Sequence, residues 1–113
     1  IKEEKSIFAS ISAKVGSISD NYLGGWYSYR ASKAALNQII KTSSIEQKRI
    51  NKNLIMVSIH PGTVDTKLSS PFIGKRTVQT PAEAATKIIN LLENLSLEDS
   101  GLFFDYNHNI IPF

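Results

Sequence analysis

Tyr29 and Lys33 stand four residues apart in the run Trp26-Tyr27-Ser28-Tyr29-Arg30-Ala31-Ser32-Lys33-Ala34-Ala35-Leu36-Asn37. On a helix that spacing puts both side chains on one face, one turn apart. A free tyrosine, with a pKa of about 10, is a poor acid–base group at neutral pH. An ammonium one turn away favours the phenolate and brings the phenol toward the working range. Such a pair passes a proton to or from an oxygen, the transfer that accompanies hydride movement between a nicotinamide and a carbonyl carbon. The spacing alone is weak ground. The chain has four tyrosines, and a chance Tyr-x-x-x-Lys arises in roughly one such chain in three. The plain alternative is an amphipathic helix with a packed tyrosine and a solvated lysine.

The surroundings favour the chemical reading. Ala31, Ser32, Ala34 and Ala35 crowd the helix with small side chains, as where a helix presses closely on a sheet. Gly24 and Gly25 precede it and suit a tight turn.

The elements that must position this helix alternate along the chain. Ser6–Ser12 is short, apolar and small, the pattern of a buried parallel strand. A loop rich in Gly, Ser, Asp and Asn spans 13–26, and the helix runs from Tyr27 or Ser28 to Arg49. Ala35, Leu36, Ile39, Ile40 and Ile50 supply its apolar positions. Leu54–His60 is the second strand, stopped by Pro61-Gly62, and a polar loop continues to Gln79. Thr80-Pro81-Ala82-Glu83 predicts a helix start, with Thr80 as N-cap, Pro81 at N1 and Glu83 closing a capping box. Ala85, Ile88, Ile89, Leu92 and Leu95 fall at helical spacing and predict a core face. Leu102–Tyr106 is the third strand, and Asn107-His108-Asn109 a turn in which Asn107 and Asn109 are suited to the left-handed conformation. Strand-helix-strand-helix-strand implies an α/β fold with a parallel sheet. Sites in such sheets form at the carboxyl ends of the strands, which the two polar loops leave.

The run from Ser10 to Asn37 resembles the short-chain dehydrogenase/reductase superfamily. Gly16-Ser17-Ile18, Asp20-Asn21, Gly24-Gly25 and Tyr27–Asn37 resemble, more narrowly, its C-factor and sniffer-type carbonyl reductase branch. The resemblance implies a Rossmann-type doubly wound parallel sheet. Members are roughly twice as long, as a complete nucleotide-binding domain requires. None of the six glycines here forms a Gly-x-x-x-Gly-x-Gly or Gly-x-Gly-x-x-Gly cluster. Residues 1–113 are therefore expected to be the C-terminal catalytic half of such a domain, without the glycine-rich nucleotide-binding half.

The resemblance also implies roles, residue by residue. Tyr29 matches the tyrosine that gives a proton to the carbonyl oxygen. Lys33 matches the lysine that assists it and bonds the nicotinamide ribose. Pro61-Gly62-Thr63-Val64-Asp65-Thr66 resembles the loop after the sixth strand, so Pro61, Gly62, Val64 and Thr66 are expected to contact the nicotinamide of NADP or NAD. Ser12 matches the first of two serines that usually end the fifth strand. Ala13 occupies the place of the second, which polarises the substrate carbonyl, so Ser12 is expected to fill that role. Losing one such donor typically costs ~100- to 1,000-fold in rate.

Other residues have plainer readings. His60 reads as a strand-end residue rather than a general base, and His108 as a solvated turn residue. Asp20 and Asp65 lack a third ligand for a metal. Trp26 either lines a substrate pocket or packs. Lys41, Lys48, Arg49 and Lys52 cluster at the end of the long helix without interleaved aromatics, so a solvated helix end is favoured over a nucleic-acid surface. The net charge is +3, and the absence of cysteine excludes disulfides and thiolate metal sites. No apolar run approaches the ~18 residues of a membrane span, and a cytoplasmic protein is expected.

Two functions from different classes follow. One is an NAD(P)H-dependent oxidoreductase that reduces a carbonyl or oxidises an alcohol of a small molecule, for which this chain alone is incomplete. The other is a non-catalytic binding or signalling module, or an inactive remnant of such a reductase. Family members commonly dimerise through the helix carrying the tyrosine, so a homo-oligomer is expected, with no nucleic-acid or membrane partner.

Overall fold

A computed structural model describes residues 4–63 and 78–113 of the chain. Three strands form a parallel sheet in the order β1-β2-β3, with β1 at Ser6–Ile11, β2 at Leu54–His60 and β3 at Phe103–Asp105. β1 pairs with β2 in register from Ser6 opposite Leu54 to Ile11 opposite Ile59. β3 joins the other edge of β2, with Ser58, Ile59 and His60 opposite Phe103, Phe104 and Asp105. Helix α1, Tyr27–Lys48, connects β1 to β2, and helix α2, Pro81–Glu93, lies between β2 and β3. The α/β architecture with a parallel sheet is the one the alternating pattern predicts.

β2 is the centre because it is flanked on both edges, and its run Ile55–Ile59 is buried throughout. Its alternate residues Ile55, Val57 and Ile59 pack with Leu91, Leu95 and Phe104 in one cluster, joined by Ile88 and Leu92 of α2. Period two on the strand thus meets the helical period on α2, as a strand–helix core requires. The α2 start is as predicted. Thr80 Oγ1 accepts from the Glu83 N–H, and Glu83 returns an acceptor to the Thr80 N–H, each at 3.2 Å, with Pro81 in the first turn. The helix ends at Glu93, so Leu95 reaches the core from just beyond it.

The buried stripe of α1 differs from expectation. Asn37, Ile40 and Ser44 are its buried residues, whereas Ala35, Ile39 and the following Ile50 are exposed. The helix approaches its neighbours closely at two points of that face. A Cβ on Gly101 would stand 2.7 Å from Ser44 Oγ, and one on Gly16 2.8 Å from Lys33 Cβ. Ser44 therefore sits at the Gly101 contact, Ile40 is buried as expected, and Ile39 and Ile50 are left outside. The turn after β3 also differs in detail. His108, with φ of 67°, takes the left-handed conformation rather than Asn107 or Asn109. Asp105 explains the choice: its carboxylate accepts from the N–H groups of Asn107 and Asn109 and so fixes the residues on either side.

The chain then turns back. Ile110 bridges antiparallel to Phe104, and the Ile111 N–H donates to Phe103 O. Pro112 O accepts from Ser17 Oγ, and Phe113 O from the N–H groups of Ile18 and Ser19. The final residues thereby fasten the loop that leads from β1 to α1.

Candidate active site at the strand carboxyl ends

β1 ends at Ile11, and the Ser12 N–H still donates to Ile59 O at 2.7 Å. Ser12 is therefore held by the sheet rather than by the loop. It is 3% exposed, and its Oγ has no hydrogen-bond partner among the described residues. A buried hydroxyl without a partner is unusual.

The chain next makes a short 3-10 turn, Lys14–Gly16, which lies against α1. Three successive residues, Gly24, Gly25 and Trp26, have positive φ of 68°, 74° and 55°. The two glycines adopt this conformation without a side-chain penalty; Trp26 does not. Arg30 secures the turn. Its Nε donates to Gly25 O at 2.8 Å and its Nη2 to Gly24 O at 3.1 Å, while Nη1 reaches Val15 O at 3.4 Å. Helix α1 begins immediately afterwards at Tyr27.

This path brings the first turns of α1 back to the end of β1. Lys33 Nζ donates to Ile11 O at 3.4 Å and lies 5.7 Å from the centroid of the Tyr29 ring. Tyr29 is 45% exposed, and Trp26 meets its ring edge-on with centroids 6.0 Å apart. Lys33, one turn from Tyr29, thus reaches the carboxyl end of β1, where Ser12 follows Ile11. A phenol and an ammonium one turn apart can together donate to an oxygen and transfer a proton.

At the end of β2, Pro61 and Gly62 turn the chain. Gly62 has φ of +80°, and a Cβ there would stand 2.5 Å from Gln79 Nε2 and 2.6 Å from Tyr106 Cε1. Gln79 explains the crowding: its Nε2 donates to Pro61 O at 2.8 Å and its N–H to Thr63 O at 3.0 Å. Val64 and Thr66, expected to contact a nicotinamide, lie outside the described residues, as does Asp65. Among the described residues no group of His, Cys, Asp and Glu is placed to hold a metal ion.

Two contributors were not singled out from the sequence, and a third makes a bond that its strand-end reading did not include. Arg30 carries no chemical signature, and its clamp appears only once the glycines fold under it. Gln79 acts from the far end of the loop. His60, read as a strand-end residue, accepts a hydrogen bond on Nδ1 from the Lys14 N–H at 3.1 Å.

No family model matches the chain. It is 38% identical over 93 residues to 1-hydroxy-2-glutathionyl-2-methyl-3-butene dehydrogenase of Rhodococcus sp., covering 82% of this chain and 40% of that protein. It is 32% identical over 105 residues to the C-signal protein of Myxococcus xanthus, covering 93% of this chain and 60% of that protein. The chain thus spans about half the length of these curated relatives. Among solved structures, the carbonyl reductase Sniffer of D. melanogaster superposes with a TM-score of 0.85 at 26% identity, over 98% of this chain and 44% of that one. The NADPH-bound carbonyl reductase from chicken fatty liver superposes with a TM-score of 0.80 at 32% identity, over 95% of this chain and 42% of that one.

Proposed function

This chain is a homologue of short-chain dehydrogenase/reductase oxidoreductases, and on that premise we propose that it is the catalytic part of an NAD(P)H-dependent carbonyl reductase or alcohol dehydrogenase. The observation that supports the reading is the reach of Lys33, one turn from Tyr29, to the carbonyl of Ile11 at the end of β1, next to the buried Ser12. The glycine-rich phosphate-binding part would come from another stretch of the intact protein, and residues 1–113 by themselves would turn over little or nothing. A cytoplasmic setting and a homo-oligomer belong to the same proposal.

The residues fit a nicotinamide nucleotide. Lys33 has three N–H donors, of which one makes a long contact to Ile11 O, so donors remain for the ribose hydroxyls. A charged donor to a hydroxyl is a strong contact. The Gly62 backbone, free of a side chain, with Pro61, Val64 and Thr66, would receive the carboxamide. The bound nicotinamide supplies or accepts the hydride.

This chain's own residues do the rest. In reduction the substrate oxygen lies between the Tyr29 hydroxyl and Ser12 Oγ. Ser12 donates a hydrogen bond as negative charge develops on that oxygen. Tyr29 transfers its proton to the same oxygen, completing the alcohol. In oxidation Tyr29 takes the proton back. Trp26 bounds the substrate side of the phenol.

The test is turnover by the intact reductase that carries this segment, with NADPH or NADH and a panel of aldehydes and ketones. Tyr29→Phe keeps the ring and its contact with Trp26 but removes the transferable proton. Turnover should fall by about 100-fold or more with an unchanged circular dichroism spectrum. A Tyr29→Phe enzyme with undiminished turnover would overturn the assignment.

A further inference from the structure

The β1–β2 ladder contains a substitution at the place where the site opens. Its backbone rungs run to Ser12, whose N–H donates to Ile59 O. In a parallel ladder the next rung would run from the residue-61 N–H to Ser12 O, which Pro61 cannot supply; the rung after it would join the Lys14 N–H to Pro61 O. It is not made. The Lys14 N–H donates instead to His60 Nδ1 at 3.1 Å, and Pro61 O accepts from Gln79 Nε2 at 2.8 Å. The strands part here, with an imidazole spanning the gap that a carbonyl would have closed.

We propose that His60 is a positioning residue for the Ser12 turn: its neutral imidazole serves as the last rung of the β1–β2 ladder, and protonation of Nδ1 releases Lys14. The chemistry is restrictive. A ring nitrogen that accepts from an N–H cannot carry a proton, so the proton of the neutral ring sits on Nε2. Protonation places N–H against N–H and breaks the rung. Because Lys14 is two residues from Ser12, release frees the turn that fixes the serine's direction. It also frees the start of Lys14–Gly16, which lies against Lys33. That effect on turnover rests on the reductase reading; the rung itself does not.

Among the described residues, four groups face His60 directly or at one remove. The Lys14 ammonium comes from the β1 side and the Asp105 carboxylate from the end of β3. The Tyr106 ring lies 6.4 Å away between centroids, and Lys87 of α2 stands over that ring at 4.8 Å. Burial, then the Lys14 charge, hold His60 below its usual 6.5, and Asp105 opposes them. The neutral form therefore persists at pH 7, and the rung fails only as pH falls below that range.

The experiment is amide hydrogen exchange and 15N NMR on this chain across pH 8 to 5, with His60→Asn and His60→Ala variants. Asn offers Oδ1 near the place of Nδ1 and does not titrate. In the wild type, Nδ1 should carry the shift of an unprotonated ring nitrogen at pH 8. Lys14 amide protection, corrected for intrinsic exchange, should fall about fivefold to tenfold as His60 titrates, the scale of one hydrogen bond. His60→Asn should keep that protection at every pH, and His60→Ala should lack it throughout. A protonated Nδ1 at pH 8, or Lys14 protection that ignores the His60 titration, would overturn the proposal. If His60→Ala fails to fold, the wild type and His60→Asn decide the matter between them. Turnover of the intact reductase gives the separate readout. An acid limb in kcat that His60→Asn removes supports the effect on catalysis. A rung that titrates while kcat stays flat overturns that effect and leaves the rung.

Discussion

Gly16 has no side chain because Lys33 stands where one would be. An ideal Cβ at Gly16 would lie 2.8 Å from Lys33 Cβ, 2.9 Å from its carbonyl carbon and 3.1 Å from the Ala34 nitrogen. Two of these three are backbone atoms of a helix and cannot yield alone. The turn after β1 is thus keyed to the one residue of α1 whose ammonium reaches Ile11 O. Gly16→Ala should cost about 1–3 kcal/mol by overpacking, seen as a lower urea midpoint with an unchanged slope. It should also weaken nicotinamide binding in the intact reductase, because relief requires moving Lys33. An alanine variant of wild-type stability would show that α1 can retreat freely.

Ser12 and its hydroxyl make opposite demands on stability and function. An unpaired buried donor carries a desolvation cost of about 1–3 kcal/mol, and Ser12 Oγ is such a group. Ser12→Ala removes the group rather than one partner of a pair. The variant should be at least as stable as the wild type in a denaturant titration, while turnover falls by about 100- to 1,000-fold. A clear loss of stability would mean that the hydroxyl is structural, and an unchanged rate would remove it from the site.

At the start of α2, stability should depend on acid in a defined direction. The Thr80 N–H and then its hydroxyl hold the exposed Glu83 carboxyl below its usual 4.5. A carboxyl with a depressed native value binds its proton more readily when unfolded. Its stabilising effect is therefore full above about 4.5 and lost as pH falls through the native value. Thr80→Ala should lower stability by about 1 kcal/mol at neutral pH through loss of the N-cap. Glu83→Gln should flatten the acid dependence. Thermal melts between pH 7 and 3 check both, and a Glu83→Gln curve parallel to the wild type would refute the assignment.

The sequence was most informative where one signal sufficed. The capping box, Pro61-Gly62 and the apolar run Leu54–His60 are local, and each appears where its residues predict. The Tyr29–Lys33 pair was legible because helical spacing alone brings the two together. The buried stripe of α1 was not, since the apolar pattern favoured Ile39 and Ile50 over Asn37 and Ser44. What decides it is the closeness of Gly16 and Gly101 to the helix, a tertiary fact. Arg30, Gln79 and the bond that His60 makes were missed for a related reason. Each bonds a backbone group from across a loop or strand end, and no spacing in the chain announces such partners. Ser12 lies between these cases: its place was readable from the motif, whereas the solitude of its hydroxyl was not.

The strained turn before α1 permits a direct optical test. Trp26 is the only tryptophan of the chain, and it sits at φ of 55°, a conformation that costs a non-glycine residue of the order of 1–3 kcal/mol. Something must hold it there. The Arg30 fork supplies that restraint, through Nε and Nη2 on the two preceding carbonyls and Nη1 on Val15 O. Lysine keeps the charge but is a point donor and cannot span those carbonyls in one plane. Arg30→Lys should therefore release the turn while α1 and the sheet remain folded. The expected result is a lower fluorescence anisotropy of Trp26 and readier quenching by acrylamide, with an unchanged far-ultraviolet spectrum. Loss of the edge-on contact with Tyr29 should accompany it, so the intact reductase would show a raised KM for bulky carbonyl substrates with a smaller change in kcat. Trp26 anisotropy equal to the wild type would mean that the indole's own packing, and not Arg30, maintains the turn.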